Sequence, residues 1–257
     1  MKEVHLVYYS PALSTRKIMR SIGKEFNTTI KEHDITQGIA APLSFTKEDT
    51  VIFGVPVYSG RVPAMAVDYL QQIKGESTPA ILVCVYGNRE YEDTLLELKN
   101  ICQGNGFIPF AAGAFIAQHS IFSNVAKDRP DEKDKLKIAD FVKKSIKKYQ
   151  SLDSNSSSLE VKGNYPYREV SKIPLTPKGD KQCDNCGTCV KMCPTHAITE
   201  DNPKKTDKDL CISCARCIAV CPQHSRKFRG LIYSIARRKF ESKLAGVRKD
   251  PEFFFIS

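Results

Sequence analysis

Two stretches of this 257-residue chain gather most of its metal-binding side chains: CDNCGTCVKMCP (183–194) and CISCARCIAVCP (211–222). Both read C-x2-C-x2-C-x3-C-P. Thiolates are soft ligands, and three at this spacing can hold one set of corners of an iron–sulfur cubane. The fourth, placed before proline, lies too far round the loop and reaches across to a second cluster. The spacing therefore predicts Cys183, Cys186, Cys189 and Cys221 on one [4Fe–4S] cluster, and Cys211, Cys214, Cys217 and Cys193 on another. A pair of zinc sites is the alternative, but structural zinc takes its ligands as two pairs around a longer spacer, which two proline-terminated quartets fit poorly. Gly187, Ala215 and Ala219 beside the thiols leave room for backbone N–H groups to approach sulfur, which raises cluster potentials.

A second set of candidates falls in three loops of the first half. In YYSPALSTRKI (8–18) the hydroxyls of Ser10, Ser14 and Thr15 precede a helix, and together with the helix N-terminus they can satisfy an anion without a lysine. The loop has no glycine, although tight amide cradles use positive φ. GVPVYSGRVP (54–63) brings Tyr58 and Arg61, and VYGNREYED (85–93) brings Gly87, Arg89 and Tyr91. Tyr58 and Tyr91 can stack a planar ring with their phenol edges toward water. Arg61 and Arg89 would favour an anionic ring there, or are ordinary surface arginines. No G-x-G-x-x-G opens a helix and no Walker A pattern occurs, which argues against a nicotinamide or a P-loop nucleotide.

These loops need elements to position them. VHLVYY (4–9), TIKEHD (29–34), TVIFGVPV (50–57), AILVCVYG (80–87) and FIPFAAGAFI (107–116) read as strands. Helices are predicted near 15–26, after Pro63, over about 91–104 and after Pro130, the last with Leu136, Ala139, Val142, Ile146 and Tyr149 as its apolar stripe. Five strands alternating with helices predict a parallel sheet covered on both faces, with ligands at the carboxyl ends of the strands. The loops after Tyr9, Val57 and Tyr86 stand there. Polar SLDSNSSS (151–158) opens an irregular stretch to about residue 180 that reads as a linker. Of the remaining candidates, Cys84 and Cys102 read as small core residues. His119 in AQHSIF is a candidate for proton transfer, and His196 and His224 are either cluster hydrogen-bond donors or turn residues.

The net charge of +10 is uneven: residues 1–150 carry 20 Lys and Arg against 17 Asp and Glu, and residues 151–257 carry 19 against 12. Nine of these cations lie between Arg226 and Lys249, with Glu241 the one acidic residue among them, and Ile232, Ala236, Phe240 and Leu244 recur at helical spacing. An amphipathic helix is expected, its basic face either a landing patch for an acidic redox partner or a solvated face. No nucleic-acid fingerprint accompanies the charge. No run is long enough to span a membrane, and the start lacks a signal-peptide layout, so a cytoplasmic location is expected. Oligomeric state has no signal in the sequence.

Residues 181–222 resemble a bacterial-type two-cluster ferredoxin domain in both quartets, both prolines and the THAI stretch (195–198). The SPALST loop resembles the S-x-T-G-N-T phosphate loop of flavodoxins, and the two later loops resemble those that cover the flavin ring. Together with NYPY (164–167), the chain resembles flavodoxin–ferredoxin fusion proteins of anaerobic microbes. The resemblance implies a flavodoxin-like, doubly wound α/β domain with a five-stranded parallel sheet over 1–150, a linker over 151–180, and a small α+β two-cluster ferredoxin domain with a basic tail over 181–257. It implies FMN held by Ser10, Pro11, Ala12, Leu13, Ser14 and Thr15, then Pro56, Val57, Tyr58, Ser59, Gly60 and Arg61, then Tyr86, Gly87, Asn88, Arg89 and Tyr91. Leu13 replaces the family's glycine, so the phosphate is expected to rest more on hydroxyls than on an amide nest. The implied function is electron transfer between FMN and two [4Fe–4S] clusters, coupling two-electron and one-electron partner proteins. A flavin-dependent reductase of a small molecule fed by its clusters, and a cluster-bearing redox sensor with an empty sheet domain, are the alternatives.

Overall fold

The computed structural model describes residues 1–152, 158–171 and 173–257. The predicted strands form β1 (Glu3–Tyr8), β2 (Thr29–Asp34), β4 (Asp49–Pro56), β6 (Thr78–Tyr86) and β7 (Phe107–Ile116), while β3 (Ser44–Phe45) and β5 (Lys74–Gly75) make a separate two-residue pair. The main sheet runs β2-β1-β4-β6-β7-β8, and its first five strands are parallel. Leaving the short pair aside, the parallel order is 2-1-3-4-5, the flavodoxin-like doubly wound arrangement. Strand β6 is buried throughout and β4 along all but its first residue, because helices cover both faces. Polar TIKEHD suits β2 to the edge.

Helix α1 (Ser14–Lys24) packs Ile18, Met19 and Ile22 on the sheet, followed by α2 (Ala64–Leu70), α3 (Thr94–Gly104) and α4 (Glu132–Gln150). The stripe of α4 differs from the one its sequence predicts: Ile138, Phe141, Val142 and Ser145 are buried, whereas Leu136 is 73% exposed. The helix is rotated because its first turn is pinned from inside. Asp134 is buried, completes a capping box with Asp131, and pairs with buried Arg129.

Three features tie the second half to the first. The chain's end forms β8 (Glu252–Phe255), an antiparallel sixth strand on β7, so the five-strand expectation falls one short. Its aromatic rings explain this: Phe253 packs on Phe115 and Phe141, and Phe255 on Phe141. The expected linker is a strap over 158–171, with Leu159 fully buried and the amides of Asn164 and Arg168 donating to Asp93, each at 2.8 Å. Most of SLDSNSSS (residues 153–157) lies outside the described residues. Third, α7 (Leu231–Leu244) packs Tyr233, Ala236, Phe240 and Leu244 against Phe122, Val125 and Phe228, and leaves Leu231, Ile232 and Ile235 in solvent. The predicted Ile232 is thus replaced in the docked face by Tyr233.

The cysteine module between strap and tail holds little regular structure: two one-turn helices, α5 (Thr188–Lys191) and α6 (Arg216–Ala219), and the isolated bridge between Lys178 and Lys227. Its two halves repeat at an offset of 28 residues. Asn185 and Ser213, Gly187 and Ala215, and His196 and His224 all take positive φ at equivalent positions. The loops wrap the thiols in the same way twice. His196 and His224 are exposed turn residues.

Candidate functional site

The loops at the carboxyl edge of the sheet enclose a cavity of about 300 Å³. Pro11, Ala12, Ser14 and Thr15 after β1, Pro56, Val57, Tyr58 and Ser59 around the end of β4, and Tyr86, Gly87 and Arg89 around the end of β6 all line it. A larger cavity of about 620 Å³ adjoins it and shares Tyr58, Ser59, Ser171, Ile173 and Ile212.

The first loop has features that an anion site would use. Leu13, the N-cap of α1, has φ 65° and ψ −3°. The left-handed turn that the glycine-free sequence argued against is therefore present, and a leucine adopts it. Ser10 does not face the cavity: it is buried, and its Oγ accepts the Arg16 amide at 2.9 Å, closing the loop from behind. Thr15 is fully buried, lines the cavity, and its Oγ1 has no hydrogen-bond partner. The amides of Ser14 and Thr15, first in the helix, have no i−4 carbonyl to serve. An orphan hydroxyl and helix N-terminal amides beside an apolar and aromatic cavity suit a planar ligand with an anionic tail.

Four sequence candidates are placed elsewhere, each for a visible reason. Tyr91 is fully buried, donates to Glu252 at 2.7 Å and packs on Tyr86, so it cannot present a face to the cavity. Arg61 turns away and clasps Glu97 through two bonds of 2.7 Å, with its guanidinium 4.7 Å from the Tyr167 ring centre. Asn88 is buried and donates to the Val247 carbonyl at 2.7 Å, anchoring the chain beyond α7. Gly60 serves the turn, with φ 83°. Arg89 lines the cavity but is paired with Glu92.

The remaining wall comes from residues the three-loop reading missed. Gln118, His119, Ile121 and Phe122 follow β7, which ends at the same sheet edge, so strand order alone identifies this fourth loop. His119 Nδ1 accepts the amides of Ile121 and Phe122 at 3.1 and 3.2 Å, which assigns its proton to Nε2. Burial, then the charge of Arg89, pushes its pKa down to about 4. The ring is a neutral donor rather than a proton shuttle. It fits because residue 87 is glycine: a Cβ there would lie 2.5 Å from His119 Cδ2. Phe240 of α7, Ser171 at the end of the strap, Ile173, and Ile212 and Ser213 from inside the second cysteine run close the cavity. No short-range sequence signal marks these.

The thiols gather as two groups. Cys183, Cys186, Cys189 and Cys221 line one small cavity together with Arg226. Cys214 and Cys217 lie instead in each other's field and in that of Cys193 and Cys211. Each group therefore combines three thiols of one run with the proline-flanked thiol of the other. All but Cys183 and Cys186 are buried. Two quartets of converging thiols are the kind of donor set that would hold two [4Fe–4S] clusters. Cys84 and Cys102 sit in the sheet core, and burial pushes both thiols up.

Residues 182–225 match the 4Fe-4S dicluster domain family. No curated protein matches the chain. Among solved structures, the chain is similar to rubredoxin oxygen:oxidoreductase from Desulfovibrio gigas (17% identity, TM-score 0.41), a match over 59% of this chain and 38% of that one. It is similar to the Streptococcus pneumonia TIGR4 flavodoxin at 12% identity and TM-score 0.42, covering 57% of this chain and 99% of that one. Flavodoxin 1 from Bacillus cereus is similar at 15% identity and TM-score 0.41, over 57% and 98% of the two chains. The sheet domain's fold assignment rests on its strand order. The chain joins a flavodoxin-like α/β domain to a 4Fe-4S dicluster domain.

Proposed function

We propose that this chain is an electron-transfer protein that holds FMN in the cavity at the sheet edge and two [4Fe–4S] clusters in the cysteine module. The observation that carries the reading is the shared wall: Ile212 and Ser213, which sit between cluster ligands Cys211 and Cys214, line the same cavity as the loops after β1, β4 and β6. Flavin takes up one or two electrons and each cluster one, so the three together link two-electron to one-electron partners. The protein's contribution is placement. Thr15 and the first amides of α1 would hold the phosphate, Tyr58 and Phe240 would flank the ring, and the His119 Nε2–H donor would face it. Cys183, Cys186, Cys189 and Cys221 would hold the outer cluster, with the other quartet beside the flavin. The exposed cations Lys227, Arg229, Arg237, Arg238, Lys239 and Lys243, and the apolar row Leu231, Ile232 and Ile235 among them, suit an acidic redox partner.

Anaerobic purification with iron, sulfide and flavin quantitation tests this directly. About eight iron, eight sulfide and one FMN per chain are expected. Clusters without flavin would leave the redox-sensor reading. Turnover of a small acceptor by the reduced protein, with no partner protein present, would favour the reductase.

A further inference from the structure

At the amino edge of the sheet, opposite the cavity, β1 and β4 start side by side, and three metal-ligating side chains meet there. Glu3 and His5 alternate along β1 and so share a face, and Asp49 on β4 is the register partner of Glu3. One ligand atom from each lies within 4.8 Å of the other two. His5 is 7% exposed, whereas both carboxylates are partly open to solvent. The group is a buried imidazole with two reachable carboxylates, not a patch of surface acids.

Its distances are those of a coordination sphere more than of hydrogen bonds. His5 Nε2 stands 3.3 Å from Glu3 Oε2 and 3.5 Å from Asp49 Oδ1. N–H···O bonds fall at about 2.7–3.2 Å. Two ligands on one tetrahedral zinc, with bonds of about 2.0–2.1 Å, are held about 3.3–3.4 Å apart. The far side of the imidazole and of the Asp49 carboxylate is already occupied. His5 Nδ1 meets His33 Nε2 at 3.1 Å, so an Nδ1 proton can be donated to His33 while Nε2 keeps its lone pair for a metal. Asp49 Oδ2 accepts the Thr46 amide at 2.9 Å and the Thr46 hydroxyl at 3.1 Å, which leaves Oδ1 directed at His5. Phe45 packs edge-on against both imidazoles. Lys31 Nζ, 2.8 Å from Glu3 Oε2, is the cation beside these carboxylates, and its side chain, 56% exposed, is free to swing out as a divalent ion enters.

We propose that Glu3, His5 and Asp49 form a zinc site, with His5 Nε2, Asp49 Oδ1 and a Glu3 carboxylate oxygen as ligands and water in the fourth position. His33 and Thr46 orient the ligands from behind. Imidazole and carboxylate together suit a zinc-class ion, and the two carboxylates neutralise its charge. The ion clamps the starts of β1 and β4 at the sheet edge away from the cavity, so the site stands apart from the electron-transfer reading.

The cysteine thiols are the competing zinc ligands, so the experiment uses the full chain with its iron loaded and counted. Zinc is added anaerobically, the excess is removed by gel filtration, and bound metal is counted by elemental analysis. About one zinc per chain is expected with iron unchanged. X-ray absorption at the zinc edge should show nitrogen and oxygen at about 2.0–2.1 Å and no sulfur at about 2.3 Å. His5→Gln and Asp49→Asn are each expected to lose this zinc, and with it the rise in melting temperature that zinc gives the wild type. His33→Phe, which keeps a ring against Phe45, should weaken zinc binding about 10- to 100-fold. Should one ligand variant fail to fold, the other decides. The decisive readout is a difference of one zinc between wild type and variant, which holds whatever occupies the thiols. Equal zinc in wild type and variants, or zinc bound only through sulfur, would overturn the proposal.

Discussion

Replacing Thr15 with valine keeps the shape of a fully buried side chain and removes only its hydroxyl. That hydroxyl is orphaned in the cavity wall, so its loss acts with opposite signs on the flavin-free and flavin-bound protein. Without ligand, a buried unsatisfied hydroxyl costs about 1–3 kcal/mol, and the isosteric methyl removes that cost. The flavin-free variant should gain about 1 kcal/mol, or about 2–4 °C in melting temperature for a domain of this size. With FMN bound, a hydrogen bond to a charged phosphate oxygen contributes about 1.5–3 kcal/mol. At 1.4 kcal/mol per tenfold, its loss raises the FMN dissociation constant about 10- to 150-fold. Flavin is stripped with the clusters kept intact, FMN is titrated by fluorescence quenching, and melting is followed with and without it. An affinity within twofold of wild type would refute the phosphate assignment. So would a flavin-free variant that melts below wild type, since Thr15 would then have a partner that the cavity argument denies it.

Leu13→Gly is expected to leave FMN affinity within about threefold of wild type, because the left-handed turn is already made; relief of roughly 1–2 kcal/mol of backbone strain offsets the lost packing of a half-buried leucine, so stability changes little in urea unfolding. Tyr91→Phe should lower stability by about 1 kcal/mol through the lost bond to Glu252 while leaving FMN affinity unchanged, which an FMN titration separates from a stacking role. His119, held at a pKa of about 4 against an ordinary 6.5, stays neutral in the fold while the unfolded chain takes up a proton below 6.5. The contribution is fully present above about pH 6.5 and falls as pH drops toward 4, by about 3 kcal/mol. Urea unfolding of His119→Asn across that window should show a flatter pH dependence than wild type.

The parts legible in the sequence are those fixed by local pattern. Uninterrupted apolar runs such as AILVCVY have one place to go in a parallel sheet, and their carboxyl ends locate the cavity. The C-x2-C-x2-C-x3-C-P runs fall within the match to the 4Fe-4S dicluster domain family, and Cys183, Cys186, Cys189 and Cys221 gather around one small cavity as their spacing predicts. Readings fail where a contact is made over long sequence distance. Tyr91 resembles a stacking residue until Glu252, 161 residues later, takes its hydroxyl. Asn88 resembles a ring contact until Val247 claims its amide. The strap reads as a linker because it is polar, yet its amides are spent on Asp93. Leu13 misleads differently: glycine is the usual residue at positive φ, and the sequence does not reveal that a leucine accepts the strain.

On the proposed electron-transfer reading, the strap and the returning tail bear on how transfer between the cavity and the cysteine module would be controlled. On the entry side, the Ser213 hydroxyl donates to the carbonyls of Ile173 and Leu175, and the strap is pinned to Asp93 upstream of them. On the exit side, Phe240 lies in the cavity wall, Asn88 holds the chain after α7, and β8 joins the main sheet. A cysteine module on a flexible tether would meet the cavity only in a fraction of its conformations, with a frequency set by linker length. Here both of its ends are fixed to the sheet domain, and Ile212 and Ser213 are part of the wall itself. The separation between the cavity and the second quartet is thus a property of the packed fold. On that reading, control over electron flow would fall to what can vary: occupancy of the cavity, the potentials, and arrival of an external partner.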